Sequence, residues 1–524
     1  MKFLDKIKMT LTNDMNQAVT ENGAMGYRTT GKHLLDMHFA TASLRGVDAQ
    51  EIINMFVKAY YEDKKMALKW LFYARDVRGG LGERRVFRIV LQYLAKNNRE
   101  IHMQEVIELI PTYGRFDDLF ILLDTPYCDA VIEFLNHQLE SDLEACRQNK
   151  SISLAAKWLP SINASSEKTR ERGKMFASKL GMSEREYRKV LSTLRSYLNL
   201  VECKMSGKQF GEIAYEAVPS KANLIYRNAF MRHDVKRRKE YLLSLQKGNT
   251  KIHSGTLFPH EIVHAYMAGY SLGTYDETLE ELWRTLDNKT EYSSIDYNAA
   301  DCITKKHNTI NCMENTIIVA DGSGSMMTSI GGGTCTALSV ANALAIYFSE
   351  RSSGRFKNQY ITFSSNPQLV DLSNGESLHE KLQIALAYNE VANTDIYKVF
   401  RLILKTALIH RMKQWELPKN IVIISDMEFD GCAENASETL FHQIGAEYKS
   451  YGYKIPRLVF WNVNSRTRTI PVKENALGVA LVSGFSINIF NMIVSNELDP
   501  YKSLLAVLNT PRYEAVDSFI NKIL

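Results

Sequence analysis

Up to about residue 300, apolar side chains recur every three or four positions. The segments Glu51–Arg75, Glu83–Lys96, Asp129–Arg147, Glu184–Met205 and Asp276–Leu286 each gather them on one side of a 3.6-residue helix, with short breaks between. Proline is rare and falls where joints are expected, at Pro111, Pro126, Pro160, Pro219 and Pro259. No strict sequence period emerges. Successive amphipathic helices with short connections nevertheless predict a solenoid of HEAT-like helix pairs over residues 1–300, because each helix has one stripe to bury against its neighbour.

From Thr316 the texture changes. Strand-like apolar runs at Thr316–Ala320, Tyr360–Phe363, Asn420–Ser425, Arg457–Asn462 and Gly478–Val482 alternate with helical patterns at Thr336–Glu350, Leu378–Tyr388, Tyr397–Arg411, Glu438–Tyr451 and Ile487–Val494. Alternation of this kind predicts a doubly wound, parallel-rich sheet with helices on both faces, in which ligands sit beyond the carboxyl ends of the strands. The expected fold class is therefore α + α/β, with domains at 1–300 and 301–524.

Composition changes little. The chain has 524 residues, 45% apolar and 23% charged, which suits a soluble globular protein of several domains. Charges fill the first eight residues where a signal peptide needs its apolar stretch, and no run of 18 uncharged apolar residues follows, so a cytoplasmic, unanchored protein is expected. The 7 cysteines include no C-x-x-C pair, which argues against a disulfide framework or a zinc ribbon. Charge placement is more informative than the net +5: residues 151–250 carry 20 Lys or Arg against 9 Asp or Glu. Clustering of this kind is what polyanion binding requires.

The sharpest candidate chemistry follows the first strand. Asp321-Gly322-Ser323-Gly324-Ser325 offers a carboxylate and two hydroxyls at alternate positions, a set of hard oxygen donors suited to Mg²⁺. Ile421–Ser425 leads in the same way into Asp426, and Val391–Asp395 is a polar loop with a hydroxyl at Thr394. Three loops thus offer oxygen ligands to one edge of one sheet.

An Asp-x-Ser-x-Ser loop, a later Thr and a strand-terminal Asp resemble the metal-ion-dependent adhesion site of von Willebrand factor A domains. The resemblance implies that Ser323, Ser325 and Thr394 are ligands and that Asp321 and Asp426 act directly or through water. The cation would be Mg²⁺, or another divalent ion such as Mn²⁺ or Ca²⁺. In that family the open position takes a carboxylate from a partner protein, so the site would bind rather than catalyse.

The longer chain is similar to the TROVE-domain Ro autoantigen proteins, and more closely to their plant, bacterial and phage relatives of unassigned function. The likeness rests on Tyr73–Arg84, Pro111–Leu119, Ala156–Ser161, Val218–Ala222 and Phe230–Asp234. It implies a monomeric ring of helical repeats closed by the von Willebrand A-like domain. Such a ring would bind structured, Y-RNA-like noncoding RNA on its basic face, and misfolded RNA with single-stranded ends in its hole, for RNA quality control or scaffolding. The alternative implied is a metal-dependent protein-scaffolding module. Neither reading involves a membrane or an enzymatic reaction.

The basic cluster gives the RNA reading its own physical footing. In Glu184–Met205, Arg185, Arg188, Lys189 and Arg195 fall on one side, while Tyr187, Val190, Leu191, Leu194, Leu198 and Val201 fall on the other. Lys168, Arg170, Arg172 and Lys174 precede this helix, and Arg232, Lys236, Arg237, Arg238 and Lys239 follow it. Neutralising phosphates with such residues gives salt-dependent, shape-selected RNA binding. The Gly-rich break Arg75–Arg85, with Arg78 and Arg84, reads either as a phosphate cradle or as a tight interhelix turn with structural ion pairs.

Other motifs point to structure. His260-Glu261-Ile262-Val263-His264 fits the zinc-protease pattern H-E-x-x-H, but Pro259 marks it as the opening turn of a helix, where Glu261 favours the dipole. Ile330–Thr334 is Gly-rich but lacks the Lys-Ser/Thr of a P-loop, so it is expected to be a flexible entry to the following helix.

Overall fold

The computed structural model describes residues 15–23, 25–97, 101–268, 271–286, 315–352, 354–388, 395–429, 438–471, 479–486 and 499–520. They gather into two units, one of Met1–Ala67 with Leu257–Pro511, the other of Leu68–Thr256 with Arg512–Leu524. Segments from both ends of the helical region belong with the sheet, and the boundary expected at residue 300 lies outside the described residues. Periodicity shows that a segment is a helix with one apolar face, but not which surface covers that face.

In the first unit, β1 (Gln17–Val19) pairs antiparallel with β2 (Met25–Tyr27), and a small antiparallel pair, β3 (Met267–Ala268) and β4 (Ser271–Leu272), lies much later in the chain. The main sheet comprises β5 (Thr316–Asp321), β6 (Gln359–Phe363), β7 (Leu369–Asp371), β8 (Asn420–Ser425), β9 (Arg457–Asn462) and β10 (Val479–Ser483), in spatial order β10-β9-β8-β5-β6-β7. All neighbours are parallel except β7, which turns back antiparallel on β6. The chain leaves β5 for β6 on one side and later returns to β8 on the other. That switch sets the carboxyl ends of β5 and β8 side by side, the position at which doubly wound sheets bind ligands.

Every residue of β5 is buried, as a strand covered on both faces requires. Ile317 and Val319 join Ile421, Ile423 and Phe460 beneath the helix Ile396–Ile409. On the other face runs the helix Ala337–Arg351, buried from Ala337 through Ser349, whose Phe348 ring meets Trp461 at 5.3 Å. The early segments complete this unit by hydrogen bonds: Asn462 Nδ2 donates to the Phe39 carbonyl at 2.8 Å, and Tyr27 and Ile470 exchange backbone bonds of 2.9 and 2.8 Å.

The second unit is helical. Two of the expected helices are divided: Glu51–Arg75 between Ala49–Glu62 and Lys64–Arg75, and Glu184–Met205 between Glu184–Tyr197 and Val201–Ser206. Asp63 is extended and its carboxylate accepts from Met66 N at 2.9 Å, while Asn199 adopts φ +51. Both are short polar side chains that offer the backbone a local alternative to helix. Pro111, expected at a joint, lies inside the helix Met103–Tyr113.

The Gly-rich break is a tight turn built on ion pairs. A side chain at Gly80 would bring Cβ to 1.9 Å from the Tyr73 carbonyl oxygen, so only glycine fits. Asp76 accepts from Arg78 N at 2.9 Å, Arg512 Nη2 at 2.8 Å and the Tyr513 hydroxyl at 3.2 Å. Arg75 and Arg88 hold the fully buried Asp118 at 2.7 and 2.6 Å.

Candidate functional site

Parallel register sets Ala320 opposite Ile424, so Asp321 and Asp426 emerge from adjacent strands at the same sheet edge. Asp321 is 2% and Asp426 1% exposed. Asp321 Oδ1 accepts from Ser323 N at 2.9 Å and Oδ2 from the Ser425 hydroxyl at 2.6 Å. The Ser323 and Ser325 hydroxyls lie 3.0 Å apart, one on each side of Gly324. Asp321, Ser323, Ser325 and Asp426 thus stand on two adjoining loops. Thr394, the remaining expected ligand, lies outside the described residues; next to it Asp395 caps the helix Ile396–Ile409 by accepting from Lys398 N at 3.2 Å.

The electrostatics of this edge are incomplete. Asp426 Oδ1 accepts from Glu428 N at 3.3 Å, while Oδ2 is buried and, among the described residues, has no hydrogen-bond partner. Arg466 Nη2 lies 3.8 Å from it. Burial, and then the charge of Asp321, push the Asp426 carboxyl up to about 7, against the opposing pull of the Ser325 hydroxyl and Glu428 N–H. Two carboxylates thus share one buried site. Among the described residues, no group of three His, Cys, Asp or Glu side chains is arranged to hold a metal. Any cation here would rest on two carboxylates and hydroxyls, a donor set that fits Mg²⁺ or Mn²⁺ and poorly suits Zn²⁺.

Three participants were not among the expected ligands. Ser425 could have been found as a hydroxyl directly preceding a strand-terminal Asp. Glu428, 2% exposed, accepts from the N–H groups of Glu21, Arg466 and Thr467 at 2.8, 2.7 and 2.9 Å. Only its proximity to Asp426 hinted at a role. Arg466 carries no sequence signal at all.

The basic cluster divides in two. Lys168, Arg172, Lys174, Arg185, Arg188, Lys189, Arg232, Lys236 and Lys239 are exposed, as are Arg78 and Arg84. Lys174 and Arg84 have acidic neighbours, Glu184 at 3.8 Å and Asp117 at 3.6 Å. The others expected to contact RNA are engaged internally. Arg195 donates to the carbonyls of Ala156 and Leu159 at 2.8 and 2.6 Å and to the Ser161 hydroxyl at 2.5 Å. Arg170 binds the carbonyls of Ala164 and Ser165, and Arg237 those of Phe210 and Ile213. Arg238 is fully buried, bonded to Asn223 Oδ1 at 3.1 Å within about 5 Å of the Tyr215, Phe230 and Tyr241 rings. A helical wheel assigns a face, but it cannot show that a long side chain folds back over a neighbouring loop.

The H-E-x-x-H stretch is structural. Glu261 caps its own helix by accepting from Phe258 N at 3.0 Å, the His260 ring packs against Phe258 and Phe485, and His264 Nε2 meets Thr334 Oγ1 at 3.0 Å. The Gly-rich loop before the helix Ala337–Arg351 is a tight turn, closed by an Ile330 N to Cys335 O bond of 2.8 Å with Gly331 and Gly332 at positive φ. Cys128, Cys146, Cys203 and Cys335 are free thiols; Cys302, Cys312 and Cys432 lie outside the described residues. No described helix is long and apolar enough to cross a membrane.

Comparison with known proteins follows this division only in part. Residues 315–506 match a domain of unknown function, DUF7788. Residues 20–112 and 177–297 match another, DUF2828. The chain is also 29% identical over 529 residues to the uncharacterized protein L728 of Acanthamoeba polyphaga mimivirus, an alignment covering 94% of this chain and 87% of that protein. The first match contains the whole sheet edge from Asp321 through Asp426 to Arg466. The second contains Glu21 and much of the basic cluster.

Proposed function

We infer that this chain is a binding protein rather than an enzyme, with a von Willebrand A-like sheet domain that captures a partner's carboxylate through a divalent cation. The observation that carries this reading is Asp426 Oδ2, a buried carboxylate oxygen without a hydrogen bond among the described residues, beside a second buried carboxylate. Ser323, Ser325, Asp321 and Asp426 would hold the ion, with Thr394 supplying a further hydroxyl. When bound, it would offset the paired negative charge and leave a coordination position for an external carboxylate. Ser425 and Ser323 N–H orient Asp321, and Glu428 N–H orients Asp426, so both acids are fixed before any ligand arrives. Titration of the purified chain with Mn²⁺ or Mg²⁺ by calorimetry tests the reading. Binding is expected in the wild type and lost in Asp321→Ala and Asp426→Asn; a wild type that binds neither ion refutes it.

A second reading is supported by the exposed cations on the helices Glu167–Lys179, Glu184–Tyr197, Ser220–His233 and Val235–Gln246. These residues would bind structured RNA in a Ro-like ribonucleoprotein, using charge and shape rather than base identity. Crosslinking followed by sequencing of the bound RNA tests it. An enriched structured RNA is expected, and recovery of protein with none counts against it.

A further inference from the structure

At the rim of the carboxylate site, a segment from the start of the chain is pinned to the loop after β8. Thr20 Oγ1 donates to the Phe429 carbonyl at 2.6 Å, Glu21 N to Glu428 Oε2 at 2.8 Å, and Asn22 Nδ2 to the Glu428 carbonyl at 2.6 Å. The other oxygen of Glu428, Oε1, holds the N–H groups of Arg466 and Thr467. One buried carboxylate therefore fixes residues 21 and 466 side by side, two positions after Asp426.

Their side chains meet there. Arg466 Nη2 lies 2.7 Å from Glu21 Oε2, and the same nitrogen lies 3.8 Å from Asp426 Oδ2. Nη1 reaches the Thr328 hydroxyl at 3.4 Å. The guanidinium is thus in strong contact with Glu21 and just out of hydrogen-bonding range of Asp426 Oδ2, which has no hydrogen bond among the described residues. A guanidinium and a divalent ion at this oxygen exclude one another by charge.

We propose that Arg466 and Glu21 form a charge latch that sets the affinity of the site for divalent cations: Arg466 is the competing cation, and Glu21 holds it off Asp426. The latch rests on the reading of the sheet edge as a cation site. Lifting residues 20–22 would free Arg466 to pair with Asp426 and weaken cation binding. By linkage, a bound cation favours the docked segment to the same degree.

The test is calorimetric titration of Mn²⁺ into the full chain at fixed ionic strength, with the wild type, Arg466→Gln, Arg466→Lys, Glu21→Gln and the double variant Glu21→Gln/Arg466→Gln. Removing the guanidinium charge is expected to tighten Mn²⁺ binding about tenfold, and removing the Glu21 charge to weaken it about threefold. Arg466→Lys, which keeps the charge, does not tighten binding. Glu21→Gln loses most of its effect in the Arg466→Gln background. Thermal unfolding in chelator shows whether each variant is folded, and Glu21→Gln, altered at an exposed side chain, decides the matter should Arg466→Gln fail to fold. The latch is overturned if the wild type binds Mn²⁺, Asp426→Asn does not, and neither Glu21→Gln nor Arg466→Gln changes the affinity. A wild type that binds no Mn²⁺ removes the cation reading itself and the latch with it.

Discussion

The Ser425 hydroxyl donates to Asp321 Oδ2 at 2.6 Å, across the ladder that joins β8 to β5. The same oxygen accepts from Met427 N at 3.0 Å, so one buried hydroxyl both orients the first acid of the site and turns the chain towards the second. Ser425→Ala leaves Asp321 a bond short in a dry environment and is expected to cost about 2 kcal/mol. Urea denaturation in chelator measures it. A loss below about 0.5 kcal/mol would mean that the carboxylate finds water or another donor.

Asp426→Asn separates the stability of the site from its function. It replaces a buried charge, set against a second buried carboxylate, with a neutral group of the same shape, which relieves both desolvation and repulsion. In chelator the variant is expected to melt several degrees above the wild type. In millimolar Mg²⁺ or Mn²⁺ the wild type should gain stability and the variant should not. Equal shifts with cation in both proteins would place the ion elsewhere.

Most of the sheet was legible because β5, β8 and β9 are continuous apolar runs, and such runs mark strands buried on both faces. The placement of Asp321 and Asp426 at one end of the sheet was legible because the first closes β5 and the second directly follows β8. β7 was missed: three residues, two of them exposed, leave no pattern to read. Arg466 and Glu21 were invisible for another reason. Glu428 brings them together, and no local periodicity reports a pairing between residues more than 400 positions apart. Arg195 and Arg238 misled for the opposite reason, since spacing and composition made them look like surface charge.

His38 makes stability depend on pH. It is fully buried, and burial lowers its pKa from 6.5 to about 4. The unfolded chain therefore binds a proton between pH 6.5 and 4 that the folded chain refuses. The stability due to this group is fully present above pH 6.5 and is lost as pH falls towards 4, by about 3 kcal/mol. Urea denaturation at pH 7.5, 6 and 5, compared with His38→Leu, checks the sign: the advantage of the wild type over the variant should shrink with falling pH. A constant difference would show that folding leaves the His38 pKa unchanged.

The basic helices offer a test in which structural and nucleic-acid roles move different quantities. Arg185, Arg188 and Lys189 are exposed, so replacing all three by Ala should leave the melting temperature nearly unchanged. If they bind RNA, the slope of log affinity against log salt should fall by about 0.7 for each phosphate of a single strand that is no longer neutralised. Arg238→Met should behave in the reverse way. Its guanidinium is enclosed by three aromatic rings, and its removal takes the Arg238 donor from Asn223 Oδ1 in the core, so several kcal/mol of stability should go while the salt slope of the folded fraction stays as it was. Filter binding of a hairpin RNA with a single-stranded tail, measured from 50 to 300 mM salt alongside thermal unfolding, reads both quantities. If the triple variant binds with an unchanged slope, these helices are solvated surface, and the RNA reading loses its physical support.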